Sequence, residues 1–291
     1  MTDDIVPVTI DYTSGYNTAL LNVGTLRYNG VELALGGTPV KTGKFSWDID
    51  LNGAYTKGKV LSLGGNQQIT LGFEAGDWGS AAYTQQIVGK EPLQIIALDP
   101  ARDSKGNPII NEGLGAPDPA LSQPKSFGSA ENPWSGGINN SFKYGHLNLS
   151  FLIDAKFGGK LFSNTNLIAY EQGLSKETLT GRDKTYGTGL NNASQYYNTL
   201  AAADQGMFVY DASFIKFRQV ILGYDFPASF FNNKIHGLRL SFVCHNVFTI
   251  KKHIPNVDPE STYSASIFTQ GLEAPAVPYS RTFGLNLNVK F

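Results

Sequence analysis

The last nine residues, Phe283-Gly-Leu-Asn-Leu-Asn-Val-Lys-Phe291, alternate an apolar side chain with a small or polar one at every step. A period of two belongs to a β-strand, whose successive side chains point to opposite faces, so this stretch predicts a strand with one greasy and one wet face. The same period runs through Phe45, Trp47, Ile49, Leu51 and Tyr55, set against Ser46, Asp48, Asp50, Asn52 and Thr56, with Gly53 interrupting the apolar side. It returns at Leu147, Leu149, Phe151, Ile153, Ala155 and Phe157 against Asn148, Ser150, Asp154 and Lys156, where Leu152 breaks the polar side. A less regular copy sets Leu238, Leu240, Phe242, Cys244 and Phe248 against Arg239, Ser241 and His245. Segments 20–35, 136–144 and 208–226 read as three further strands. In the last of these, Lys216 and Arg218 share the parity of Phe214, Val220 and Leu222, which predicts a bulge that changes the register.

Several of these roughly seven strands reach ten residues. A globular strand has about 5 to 6 residues, whereas a tilted strand that crosses a bilayer needs about 9 to 11. Length and alternation therefore predict an all-β fold, an antiparallel transmembrane barrel wall. Strand ends near 35 and 45, 144 and 147, and 226 and 238 are joined by short links, while 64–135, 159–207 and 250–280 are long. Seven of the 14 prolines fall in the first long segment. Short turns on one side and long, extracellular loops on the other is the asymmetry of outer-membrane barrels. Within the second loop, 166–178 reads as a short helix weakened by Gly173. An odd count of seven does not meet the even strand number of bacterial barrels, so the expectation is one arc of a larger wall.

Composition agrees. Charged residues are 16% of the 291, against about 25% in a typical soluble domain, while Gly (32 of 291) and aromatics (12%) are in surplus. The net charge of −1 leaves no basic excess to neutralise a phosphate backbone, so no nucleic-acid partner is expected. A single cysteine, Cys244, excludes an intramolecular disulfide framework, and four scattered histidines offer no zinc spacing. No apolar run is long enough for a spanning helix, and the acidic start lacks the pattern of a secretory signal. There is no G-x-S-x-G, P-loop or G-x-G-x-x-G, so neither an enzyme nor a cofactor is expected.

Particular words then add a family. Asn22-Val-Gly-Thr-Leu-Arg-Tyr-Asn-Gly-Val-Glu-Leu33 resembles a strand of the SusC/RagA-type TonB-dependent outer-membrane transporters of Bacteroidetes, with Tyr28 where that family commonly has Asn. Phe45-Ser-Trp-Asp48 through Tyr55-Thr-Lys-Gly-Lys-Val60 resembles the next, with Gly58 where Asn is common. Pro133-Trp-Ser-Gly-Gly-Ile-Asn-Asn-Ser-Phe-Lys-Tyr144 with Leu147-Asn-Leu-Ser-Phe151, Asp211-Ala-Ser-Phe-Ile-Lys-Phe217 with Leu222-Gly-Tyr224 and Pro227, Asn246-Val-Phe-Thr249 with Asp258-Pro-Glu260, and Arg281-Thr-Phe-Gly284 running to Phe291 follow in the family's order. The resemblance implies residues 1–291 of a C-terminal barrel portion, in a barrel of about 22 strands with a plugged lumen. It also implies that the N-terminal plug and its TonB-contacting segment lie outside this chain. The implied partners are a SusD-like surface lipoprotein, the TonB complex through that absent region, the outer-membrane assembly machinery, the lipid bilayer, and a glycan or peptide ligand for import.

Candidate residues follow from the faces. A lipid-facing charge near the midplane is costly, so Asp48, Asp50, Asn52, Asn148, Asp154 and Lys156 are expected to face the lumen, either as generic solvation or as polar subsites. Trp78 and Tyr83 in the long loop could stack on a sugar ring or a partner, or simply pack. Phe283, Leu285, Leu287, Val289 and Phe291 resemble the terminal signal read by the assembly machinery. Asp99, Asp103 and Asn107 around Gly106 superficially suggest a calcium turn, but their spacing favours a hairpin. Asp258-Pro-Glu260 reads as a loop corner. The rival fold is a soluble β-sandwich or lectin-like glycan-binding domain that hides its greasy face between two sheets, and a weaker one is a barrel enzyme.

Overall fold

A computed structural model describes residues 2–9, 13, 15–16, 18–73, 82–231, 237–262, 264–275, 277 and 279–290. Eight strands form one antiparallel sheet in which each pairs with the next: β1 (Thr2–Thr9), β2 (Thr18–Lys41), β3 (Phe45–Leu63), β4 (Trp134–Tyr144), β5 (Leu147–Phe157), β6 (Phe214–Phe226), β7 (Gly237–Lys252) and β8 (Thr282–Lys290). Seven of these are the strands that alternation finds. The eighth, β1, escapes it because Asp3, Asp4 and Pro7 break the pattern, and an edge strand is where a proline is tolerated. The segment 208–226 is not one strand: Val209–Asp211 belongs to another sheet, and β6 begins at Phe214 after the Ser213 amide donates to Asp211 at 2.7 Å. The wall is not closed, because β1 and β8 each hydrogen-bond to one neighbour only among the described residues.

Register turns the period of two into two surfaces. Leu35, Leu51, Ile138, Ile153, Phe217 and Phe248 form one row across six strands, and Trp47, Phe142, Leu149, Leu222, Phe242 and Leu285 form another. Rings link along the same face, directly across from Trp47 to Phe142 at 5.9 Å and Phe217 to Phe248 at 5.3 Å, and diagonally from Phe142 to Phe151 at 6.0 Å and Phe151 to Phe217 at 5.5 Å. The expected bulge is present. Leu152 pairs with Gln219 and Ile153 with Phe217, so Arg218 is the extra residue and the parity of β6 changes there. The apolar face is uncovered, with Leu33, Leu35, Phe283 and Leu285 all more than half exposed. A sandwich would bury these side chains under a second sheet, so the β-sandwich alternative does not describe this wall.

The buried core lies elsewhere, in the long connections. Strands Gln68–Phe73, Ala82–Ile87, Gln94–Asp99 and Gln123–Ser129 form a second sheet, and Lys160–Ser163, Val209–Asp211 and Leu272–Glu273 a third. Helices α1 (Asn164–Glu171) and α2 (Ala193–Ala203) pack with them around Ile95, Phe162, Leu167, Tyr170, Tyr197, Phe208 and Leu272. What reads as open loop in the sequence is thus a folded lobe, as loops longer than about 12 to 15 residues seldom lack structure of their own. Ser163 caps α1 through the Asn166 amide, and Gly173, at φ +68°, follows its end, so the helix is shorter than 166–178. Glu273, itself buried, accepts hydrogen bonds from Ser163, Thr165 and the Thr165 amide at the N-terminus of α1, where a carboxylate is favoured. α2 is announced by a capping box between Asn192 and Gln195.

Lobe and wall are joined by ions. On β6, the Lys216 ammonium donates to both oxygens of Asp258 (2.7 and 2.9 Å) and to Glu260 (2.7 Å). Arg218 donates to both oxygens of Asp154 on β5 (3.0 and 2.6 Å) and to Glu260 (2.9 Å). The Glu260 amide in turn donates to Asp258 at 2.8 Å, so Asp258-Pro-Glu260 is a turn as well as an anchor. Burial pushes the Glu260 carboxyl up, but the hydrogen bonds from Arg218 and Lys216 outweigh it and hold the group below its ordinary value.

Two outcomes are expected. Phe162→Ala removes a fully buried ring from the lobe core and should cost about 3 to 5 kcal/mol, seen as proteolysis within 68–132 and 160–211 while the wall strands stay protected. Because the folded-state pKa of Glu260 is depressed, its stabilisation is complete above the ordinary glutamate value of about 4.3 and is lost as the pH falls through the lower folded value. Acid should therefore release segment 253–262 to protease before the wall unfolds, and Glu260→Gln should reproduce that release at pH 7.

Candidate functional site

The face opposite the rings is polar. Ser46, Lys143 and Asn148 share one register row, Asp48, Ser141 and Ser150 the next, then Asp50, Asn139 and Leu152, then Asn52, Gly137, Asp154 and Lys216, then Ala54, Ser135, Lys156 and Phe214. All six candidates from alternation thus stand on one face, but the structure does not gather them. Asp154 is engaged by Arg218, Asp48 accepts from the Thr38 hydroxyl at 2.5 Å, and Asp50 has a long contact of 3.5 Å from Asn139. Asn148 donates to Asp225 at 2.8 Å, and Asp225 is itself paired with Arg239. Asp48 and Asn148 line a hollow of about 340 Å³ toward the short turns, with Lys143 and Arg239.

Lys156 opens instead into a cleft of about 520 Å³ where the polar face of the wall meets the lobe. The wall contributes Lys156, Phe214, Arg218 and Asn246, and the lobe and its connections contribute Asn132, Lys160, Glu260, Thr262, Gln270 and Tyr279. Neither Lys156 nor Lys160 forms an ion pair with a described carboxylate, whereas Arg218 and Glu260 neutralise each other. The Asn132 amide is spent on the Gly158 carbonyl at 2.5 Å, where Gly158 and Gly159 both take positive φ and turn the chain from β5 into the lobe. The result is a polar, ring-edged cleft with two ammonium groups free to meet a ligand oxygen. None of the described histidines, His146, His245 and His253, lines it. Sequence reasoning found Lys156 through its strand. It missed Lys160, Gln270 and Tyr279, which come from separate connections with no shared periodicity; only the paired glycines before Lys160 mark a sharp turn.

The remaining candidates are dispersed. Trp78 and Phe291 lie outside the described residues. Tyr83 sits inside the lobe sheet, opposite Phe73 and Ile96, where burial raises its phenol pKa. Phe283, Leu285, Leu287 and Val289 occupy the apolar face of β8, beside Cys244, Phe242, Leu240 and Leu238. Asp103 closes a hairpin by accepting from the amides of Lys105 (2.8 Å) and Asn107 (2.9 Å), with Gly106 at φ +88°. These bonds, the one from the Asn107 amide first, hold its carboxyl below the usual range. Asp99 pairs with Lys125 and Arg102, so the three side chains form no cation cage. Among the described residues, no group of three or more His, Cys, Asp or Glu is placed to hold a metal ion, and no helix is long and apolar enough to cross a membrane.

No protein-family model matches the chain. Similarity to characterised proteins is nonetheless clear. TonB-dependent receptor SusC of Bacteroides thetaiotaomicron is 24% identical over 308 residues, covering 100% of this chain and 29% of that protein. TonB-dependent receptor P3 of Formosa agariphila is 21% identical over 314 residues, covering 100% of this chain and 31% of that protein. In three dimensions the chain superposes on a RagAB peptide transporter with a TM-score of 0.70 at 18% identity, covering 100% of this chain and 32% of the other. The closed-closed state of the RagAB peptide importer gives 0.71 at 19% identity. The chain thus spans about a third of the length of the proteins it matches. From end to end, in sequence and in fold, the likeness is to the SusC/RagA-type TonB-dependent transporters.

Proposed function

We propose that this chain is part of the wall of an outer-membrane nutrient importer, with the lobe on the extracellular side and the polar face lining the passage. The observation that carries the reading is the division of one sheet into an uncovered apolar face with a ring ladder and a polar face that opens into the cleft at Lys156. An uncovered greasy face of this extent is stable against lipid and unfavourable in water. Import in this reading needs no bond chemistry: lobe and lumen side chains bind the ligand, and energy delivered through TonB, by way of parts of the transporter outside these 291 residues, releases it. A SusD-like surface lipoprotein is the natural partner at the lobe, given the likeness to SusC and to RagAB. The ligand is an oligosaccharide or a peptide. The family resemblance of the sequence favours the first and likeness to a peptide transporter the second, while the cleft offers hydroxyl, amide and ammonium groups to either.

Cysteine labelling in intact cells checks the two faces. In the transporter that contains this chain, with Cys244 replaced by Ser, Cys introduced at Asp50 or Asn148 should react with a water-soluble maleimide, and Cys at Leu51 or Leu149 should not; equal reaction on both faces sinks the reading. For the cleft, Lys156→Glu should lower uptake of labelled oligosaccharide or peptide mixtures by about tenfold, equivalent to about 1.4 kcal/mol of lost binding, with unchanged surface abundance. Uptake at the unaltered rate would remove the cleft from the ligand path.

A further inference from the structure

Beyond the ring-bearing end of the apolar face, strands β2 and β3 carry cations where the pattern of the wall calls for apolar side chains. Register is continuous from Val31↔Tyr55 through Asn29↔Lys57 to Arg27↔Lys59, so Lys57, Lys59 and Arg27 emerge on the same outward face as Leu33, Leu35 and Leu51. The opposite face at this level is occupied: Leu26 and Val60 are buried with Leu63 and Ile69 against the lobe. Arg27 and Lys59 stand directly across from each other, an arrangement that repels, and neither forms an ion pair with a described carboxylate. Lys57 pairs with Glu91 at 2.7 Å in the lobe turn that hydrogen-bonds to the edge of β3 at Val60, and Lys90 lies beside it. Four cations therefore face Glu91 and, behind the sheet, Glu131, which the Tyr28 hydroxyl already occupies. Turn and strands enclose a cleft of about 750 Å³ bordered by Val31, Tyr55, Lys57, Lys59, Lys90 and Glu91.

Height places this cleft. From Phe45 to Tyr55 the apolar parity of β3 runs ten steps of about 3.3 Å, which at a tilt of about 40° spans about 25 Å, the height of the apolar band of an outer-membrane barrel. Lys57 and Lys59 then stand about 5 and 10 Å above it, at the depth of lipid headgroups. Tyr55 and Trp134, with ring centroids 4.4 Å apart, mark the boundary between the two zones.

We infer that this outward cleft binds the phosphate of an anionic lipid headgroup, with Arg27, Lys59 and Lys90 around the phosphate and the acyl chains laid along Val31, Leu33 and Leu35. The inference rests on the membrane reading of the wall. A lipid fits better than a free phosphate because the cations are continuous with exposed apolar surface that only acyl chains cover. The ligand resolves the like-charge pair that the sheet alone leaves opposed.

The test uses the intact transporter, purified in a neutral detergent and reconstituted into phosphatidylcholine discs with or without phosphatidic acid. Expected are retention of phosphatidic acid over phosphatidylcholine by native mass spectrometry, a rise in Tm with phosphatidic acid, and no such rise with inorganic phosphate. Arg27→Glu sets a carboxylate opposite Lys59. It should keep or raise the Tm in detergent alone while lowering phosphatidic acid retention about tenfold, and Lys59→Gln should give a smaller loss in the same direction. Equal retention of the two lipids by the unaltered protein, unaltered preference in both variants, or a full Tm rise with inorganic phosphate would overturn the inference and leave the membrane reading standing. Failure to enter discs of phosphatidylcholine would overturn both.

Discussion

A strand in hydrocarbon has no water to satisfy its backbone, so every amide and carbonyl has to be paired within the sheet. On the membrane reading proposed for this wall, the rest of the structure depends on that constraint. It makes the strands long, fixes their order as a meander of neighbours, and forces one whole face to be apolar without giving that face a protein partner. A sheet committed in this way cannot serve as half of a hydrophobic core. The core is displaced to the lobe, where Ile95, Phe162, Tyr170 and Leu272 do the packing that the wall residues cannot. Even the polar group that intrudes on the greasy face obeys the constraint: Asn140 is buried among rings and accepts the Trp47 indole N–H at 3.1 Å.

Joining such a wall to a folded lobe requires a contact that survives on the wet side. The bulge at Arg218 supplies it. Lys216, Arg218, Val220 and Leu222 share one parity, so without the extra residue strict alternation would put either the two cations or Val220 and Leu222 on the wrong surface. With it, Phe217 keeps its place between Phe151 and Phe248 while Lys216 and Arg218 both reach the polar side. There they meet Asp154 from the wall and Asp258 and Glu260 from the lobe connection. A half-buried network of this kind is weak evidence for net stability, but its fixed geometry sets where the lobe sits, and hence the shape of the cleft between Lys156 and Gln270.

The wall was legible in the sequence because its two faces differ at every step, and a period of two survives translation into register without loss. Lys216 and Arg218 gave away the bulge by breaking that period. The lobe was not legible in the same way. Its strands are short, some of only two or three residues, and their partners are distant, as Lys160–Ser163 pairs with Val209–Asp211 on one side and Leu272–Glu273 on the other. No local pattern carries such pairings. Helix α2 went unread even though Asn192 and Gln195 form its capping box, and α1 was read only in part, because Gly173 ends it instead of interrupting it. The cleft stands between these cases: its wall residues follow from alternation, and those from the lobe follow only from tertiary pairing.

Two departures from the family pattern noted in the sequence turn out to be one. Tyr28 stands where Asn is common and so does Gly58, and the register places them directly opposite each other. A side chain at Gly58 would begin 2.6 Å from the Tyr28 ring and 2.8 Å from Pro92 of the lobe, so the glycine makes room for both. The ring covers the glycine backbone, which is buried, and its hydroxyl reaches Glu131 at 2.8 Å, at the start of the turn into β4. Burial raises the Glu131 carboxyl and the Tyr28 hydrogen bond opposes that rise, so the phenol stabilises a charge the lobe has partly desolvated. The pair therefore closes the inward side of β2 and β3 against the lobe at this height. Alternation then sets Arg27 and Lys59, one step further along these strands, on the outward face.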